Sequence, residues 1–291
     1  MDSIKLQEKL DHLRWLKHSG VEYYSSKEKD SINSQIDLLK EFHLKKESIV
    51  EPSSIDNSTP NVINEKPLPS VIARSGTQRS NPSDTKKCSD ATRRARKLAD
   101  SANTLSQLRN YVENFDGCSL KDFATNTVFS DGVENAKILL IGEAPGAKED
   151  EQGIPFCGES GKLLDKMMAA IGLCRSKNIY ITNTIFWRPP ANRRPTNEEI
   201  GVCKPFVEKH IALIKPKLII LVGGTATTSL LGTNEGISHI RQNNHSYINQ
   251  YLQEPIQTTA IFHPAYLLRQ PMKKKDTWYD LLKIQKIIAA L

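Results

Sequence analysis

Three short segments concentrate the side chains that can do chemistry. The first runs Gly142-Glu143-Ala144-Pro145-Gly146, then through Glu149-Asp150 and Gly153 to Pro155-Phe156-Cys157-Gly158. Its glycines and prolines let backbone amides approach a ligand closely. A phosphate loop would carry GKS or GKT; this segment has neither, and its acids repel phosphate. Glu143 therefore suits orienting a water or stabilising a developing cation, the plainer alternative being a loop carboxylate bonded to backbone. Phe156 is either a stacking platform or a core ring. The second segment holds Asn183, whose planar amide offers one acceptor and two donors and so matches a pyrimidine edge carrying N3–H and O4; capping of the next turn is the alternative. The third is His263-Pro264-Ala265-Tyr266-Leu267-Leu268-Arg269. Proline holds His263 extended, and a neutral imidazole donating a hydrogen bond stabilises an anionic leaving group. Tyr266, Leu267 and Leu268 suit a wedge into a base stack, with Arg269 meeting a phosphate.

These segments need elements to aim them. Lys137–Ile141, Ile179–Ile181, Leu218–Val222 and Thr258–Phe262 read as short buried strands. Helical spacing falls between them, at Leu163–Ile171, from the capping-box sequence Thr196-Asn197-Glu198-Glu199 to Ile214, in a short helix after Gly223-Gly224 through Leu231, and from Asp276 to Leu291. A further helix is expected around Leu105–Val112. Strands alternating with helices predict a three-layer α/β/α fold with a central, mostly parallel sheet. In such sheets ligands bind beyond the carboxyl ends of the strands. The three chemical segments all follow strands, so they converge there.

The chain has 291 residues and a net charge of +7. Bases outnumber acids over 151–291 and acids outnumber bases over 101–150, which suits contact with phosphates beside a reaction centre that keeps carboxylates. A helical segment is expected over 1–48, with helical spacing at Leu6, Leu10, Leu13 and Leu16 and a second stretch from Ile32 to Lys46. A polar disordered linker over 49–95 follows, and the globular domain over 100–291. The run Arg93-Arg94-Ala95-Arg96-Lys97 either tracks phosphates or forms a solvated helix face. No apolar run reaches the length of a membrane span. The cysteines Cys88, Cys118, Cys157, Cys174 and Cys203 are odd in number with no CxxC pair, and no secretory or transit peptide is convincing, so a cytoplasmic protein with reduced thiols is expected.

In order and content, GEAPGAKEDEQGIPFCG, ITNTIFWRPPANRRPT and FHPAYLLRQP resemble the family 4 uracil-DNA glycosylases over about residues 104–291. The resemblance implies a repair enzyme that hydrolyses the N-glycosidic bond of uracil in DNA, leaves an abasic site and so starts base excision repair. It implies a monomer with uracil-containing DNA as partner, Glu143 and His263 as catalytic residues, and a uracil pocket lined by Glu143, Ala144, Pro145, Phe156, Asn183 and His263. Tyr266, Leu267, Leu268, Arg269 and Arg188 would touch the DNA. Whether Glu143 or Glu149 positions the water is left open. Many relatives hold a 4Fe–4S cluster on four cysteines. Here Phe115 and Trp187 stand at two of those positions and only Cys118 and Cys203 match, so no cofactor or metal is expected. Two rival readings are a non-catalytic DNA-binding module of the same fold and an enzyme acting on free pyrimidine nucleotides.

Overall fold

The computed structural model describes residues 82–291, with side chains from Asp90 onward. The expected helices within residues 1–48, and the linker up to residue 81, lie outside the described residues. Six strands form one sheet: β1 (Asp131–Gly132), β2 (Ile138–Gly142), β3 (Ile179–Asn183), β4 (Leu218–Val222), β5 (His245–Tyr247) and β6 (Ile256–Ile261), in the order β1-β3-β2-β4-β6-β5. The inner four are parallel, and β1 and β5 pair antiparallel at the two edges. Every residue of β2, β3 and β4 is buried, as apolar runs flanked by helices on both sides require.

Side chains alternate between the two layers. Leu139 and Ile141 of β2, and Ile219 and Leu221 of β4, join one core cluster with α1 (Pro82–Ser101), α2 (Leu105–Asn114) and α5 (Asn197–Ile214). Leu140 and Ile220 are equally buried and by alternation face the opposite layer, where α9 (Lys274–Ala289) packs on β6. The capping box of α5 forms: Glu199 N–H donates to Thr196 Oγ1 at 3.2 Å and Thr196 N–H to Glu199 Oε2 at 2.8 Å. The remaining helices are α3 (Ala147–Gln152), α4 (Glu159–Ala169), α6 (Gly224–Leu231), α7 (Ile237–Ile240) and α8 (Pro264–Arg269).

The polar stretch read as linker through residue 95 overlaps α1. That helix packs on α5 through Ala95 and Ala99, both fully buried. Of its basic run, Arg93, Arg94 and Lys97 are exposed and Arg96 is half-buried. Arg93 pairs with Asp90 at 3.0 Å, Arg94 with Asp116, and Arg96 with Glu208 at 2.5 Å. Most of the HPAYLLR segment is the six-residue helix α8, with Pro264 at its first position.

Candidate active site

The parallel register does most of the positioning. Gly142, last in β2, sits opposite Asn183, last in β3. A Cβ on Gly142 would lie 2.4 Å from Phe156 Cζ and 2.5 Å from Asn183 Oδ1, so only glycine lets that ring and that amide converge. Beyond the strands Thr184 N–H donates to Gly142 O at 2.9 Å, and Ile185 N–H and Thr184 Oγ1 donate to Glu143 O at 3.2 and 2.6 Å. Thus the two strand exits are stitched together, with the Glu143 side chain on the wall of a cleft of about 570 Å³. The same cleft is lined by Ala144, Pro145, Phe156, Asn183 and His263.

Asn183 is buried, and its Oδ1 has no hydrogen-bond partner within the protein. Buried acceptors are nearly always satisfied, and this one belongs to a residue that lines the cleft. Phe156, also buried, places its ring centroid 5.7 Å from that of His263 at a tilt of 32°.

His263 precedes α8 and caps it: Ala265 N–H donates to His263 Nδ1 at 3.2 Å. Burial, reinforced by the positive charge of Arg269 and opposed by Glu149, pushes its pKa down to about 4. The ring is therefore neutral near pH 7. With Nδ1 accepting, the single proton sits on Nε2, which is left as a donor. Gly223 at the exit of β4 makes room for this residue; its φ is +94°, and a Cβ there would come within 2.9 Å of His263 Cβ.

The two candidate carboxylates have different work. Glu149 Oε2 accepts from Gly146 N–H at 3.1 Å and Oε1 from Gly158 N–H at 2.9 Å, so it ties together the two glycine turns of the first segment. Asp150, buried, accepts from Thr125 and Asn126 N–H at 2.8 and 3.1 Å. Glu143 and Glu149 both line the cleft, and Glu149 is the one whose two oxygens are held by backbone amides.

The proposed DNA contacts do not all reach the surface. Leu268 is 46% exposed, and Tyr266 and Arg269 line the cleft mouth, Tyr266 packing on Phe262 at 5.1 Å. Leu267, in contrast, is fully buried, because helical rotation on α8 turns it inward. It belongs to the core and is withdrawn from the wedge. Arg188 is half-buried, and its Nε donates to Asn192 Oδ1 at 2.7 Å. Lys148, Ser160 and Arg193 also line the cleft. Sequence reasoning missed them, although Arg193 lies inside the second motif and its basic pair with Arg194 was the available signal.

The family model for the uracil DNA glycosylase superfamily matches residues 129–283. This chain belongs to that superfamily. It is 35% identical over 188 residues to the type-4 uracil-DNA glycosylase of Sulfurisphaera tokodaii, covering 63% of this chain and 84% of that protein. It is 33% identical to the type-4 uracil-DNA glycosylase of Pyrobaculum aerophilum, over 61% of this chain and 91% of the relative. For that of Archaeoglobus fulgidus the identity is 37%, over 58% and 86%. The cleft thus lies within the region shared with the superfamily.

The family resemblance implies an iron–sulfur cluster, and the residues present do not fit one. Phe115, Cys118, Trp187 and Cys203 are all buried. The Phe115 ring packs edge-on against Phe206 at 5.2 Å, and Trp187 Nε1 donates to Thr127 Oγ1 at 3.0 Å. Two of the four positions are therefore filled by aromatic rings that lack a thiolate. Cys118 and Cys203 are free thiols joined by a hydrogen bond, which pulls the Cys118 pKa down and, with burial, pushes that of Cys203 up. Among the described residues no group of three or more His, Cys, Asp and Glu is arranged to hold a metal ion.

Proposed function

We propose that this chain is a DNA-repair glycosylase that hydrolyses the N-glycosidic bond of uracil in DNA, leaving an abasic site for base excision repair. The observation that carries the reading is the unpartnered, buried Oδ1 of Asn183, set in the same cleft as Phe156 and the neutral His263. A flipped uracil stacks on Phe156, donates its N3–H to Asn183 Oδ1 and accepts at O4 from Asn183 Nδ2. As the C1′–N1 bond breaks, its electron pair leaves with uracil, and His263 Nε2–H donates to O2 of the resulting anion. Glu143 faces the cationic sugar and orients the water that bonds to C1′, whose released proton passes to the carboxylate or to solvent. Tyr266, Leu268, Arg269 and Arg188 supply the DNA contacts that favour an extruded base.

The finer readings belong to the same proposal. The protein acts as an iron-free, cytoplasmic monomer, with residues 1–48 and the polar segment after them as an appendage to the glycosylase domain. Among the described residues no helix is long and apolar enough to cross a membrane. Incubation with a uracil-containing oligonucleotide followed by alkali tests the activity. Strand breaks at the uracil support the proposal; intact strands at high enzyme excess, on both single strands and U:G duplexes, overturn it. Stoichiometric iron in anaerobically purified protein would overturn the iron-free reading.

A further inference from the structure

Phe156 has a backbone that needs an explanation. Its φ is +52°, in the left-handed region where a bulky residue persists only when its surroundings force it. The force comes from one half-buried side chain outside the cleft. Arg175 donates from one terminal nitrogen to Pro155 O at 2.7 Å and from the other to Phe156 O at 2.5 Å. Its guanidinium is itself aimed by two carboxylates: Nε donates to Asp165 Oδ1 on α4 at 2.7 Å, and one terminal nitrogen to Asp131 Oδ2 on β1 at 3.1 Å. The arginine side chain is 17% exposed. A planar fork of donors held by two acids and fixed on consecutive carbonyls is a rigid device, which a lysine would not reproduce.

A second feature keeps the same carbonyl in place. A Cβ on Gly161 would lie 1.7 Å from Phe156 O, so the first turn of α4 carries a residue that leaves that oxygen its space. The consequence is transmitted to the cleft. The Phe156 ring lies against Gly142 beside Asn183 Oδ1, and a relaxed φ at Phe156 would swing the ring off that floor.

We propose that Arg175 is a positioning residue for uracil recognition, which acts by clamping the Pro155 and Phe156 carbonyls so that the Phe156 ring stays over the base-binding floor. This rests on the functional reading above and extends it to a residue that touches no substrate. It also gives the antiparallel edge strand β1 a task, since Asp131 is one of the two acids that aim the clamp.

The test uses the full-length protein, with Arg175→Gln, Phe156→Ala and the double variant. The readouts are inhibition of excision by free uracil, single-turnover rate, affinity for a duplex without uracil, and melting temperature. Arg175→Gln is expected to weaken free-uracil inhibition about tenfold, as loss of a base–aromatic stack does, with duplex affinity changed less than twofold. In the Phe156→Ala background the same change should add nothing further, because the two act through one ring. Unchanged uracil inhibition in folded Arg175→Gln, or losses that add in full in the double variant, overturn the inference. Should Arg175→Gln not fold, Arg175→Lys makes the same measurement: a clear loss of uracil inhibition supports the inference and wild-type inhibition overturns it. An inactive wild type sinks the functional reading and this inference with it, whereas an active wild type beside an unaffected Arg175 variant sinks this inference alone.

Discussion

Replacing His263 separates two jobs held by one ring. The residue caps α8 through Nδ1, which accepts from Ala265 N–H at 3.2 Å, and its Nε2–H is free to donate in the cleft. His263→Ala removes both. Loss of the cap costs about 1 kcal/mol of stability. Loss of one donor that meets the charge developing in the transition state costs roughly 10²–10³ in rate, or about 3–4 kcal/mol of barrier. Because the donor acts on the departing anion, affinity for the intact substrate should change little. His263→Asn divides the two effects: asparagine is a good cap, with an oxygen near the place of Nδ1, but it has no donor as far out as Nε2. Single-turnover excision of a uracil oligonucleotide, read beside affinity and melting temperature, gives all three quantities. The expected result is slow excision in both variants, with stability recovered only in His263→Asn. Full-rate excision by His263→Ala, or a loss confined to affinity, would refute the leaving-group role. Recovery of both rate and stability in His263→Asn would show that only the cap matters.

Three other outcomes follow from the same structure. Asn183→Asp reverses part of the hydrogen-bond pattern that faces the base, so uracil excision should fall at least about a hundredfold while weak excision of cytosine becomes measurable; unchanged uracil activity in a gel assay would contradict this. Removing residues 1–81 should leave excision intact, whereas removing 1–95 also strips most of α1, including buried Ala95, and should lower the melting temperature by several degrees. The third concerns acid. His263 and His210 are held neutral by burial, with pKa values lowered from 6.5 to about 4 and about 3. The unfolded chain takes up these protons first, so their contribution is intact above pH 6.5 and is lost as pH falls toward 4 and below. Melting temperature against pH should decline over that window, less steeply in His263→Asn, and a flat profile from pH 6.5 to 4 would contradict it.

The sequence made the sheet legible where burial was continuous. Ile138–Gly142, Ile179–Asn183 and Leu218–Val222 are apolar runs because both faces are covered, and their exits carry the residues that converge in the cleft. The edge strands Asp131–Gly132 and His245–Tyr247 are two and three residues long and polar, so no periodicity could mark them. Helix α1 escaped for a related reason: its buried stripe is made of alanines inside a charged, polar stretch, which reads like linker composition. Leu267 and Leu268 are identical in the sequence, and only the helical turn of α8 divides them, sending one inward and leaving the other exposed. The backbone partners of Glu149 were beyond spacing alone, since the amides of Gly146 and Gly158 are brought to one carboxylate only in the fold. Arg175 carried no local signal at all, since its partners come from Asp131, Pro155, Phe156 and Asp165.

The most direct test of the account is the product balance of one reaction. Full-length protein in excess over a U:G duplex should release free uracil and create abasic sites in equal molar amounts, with a matched C:G duplex left untouched. Tight binding of the uracil duplex with neither product would contradict catalysis and leave a DNA-binding module of the same fold.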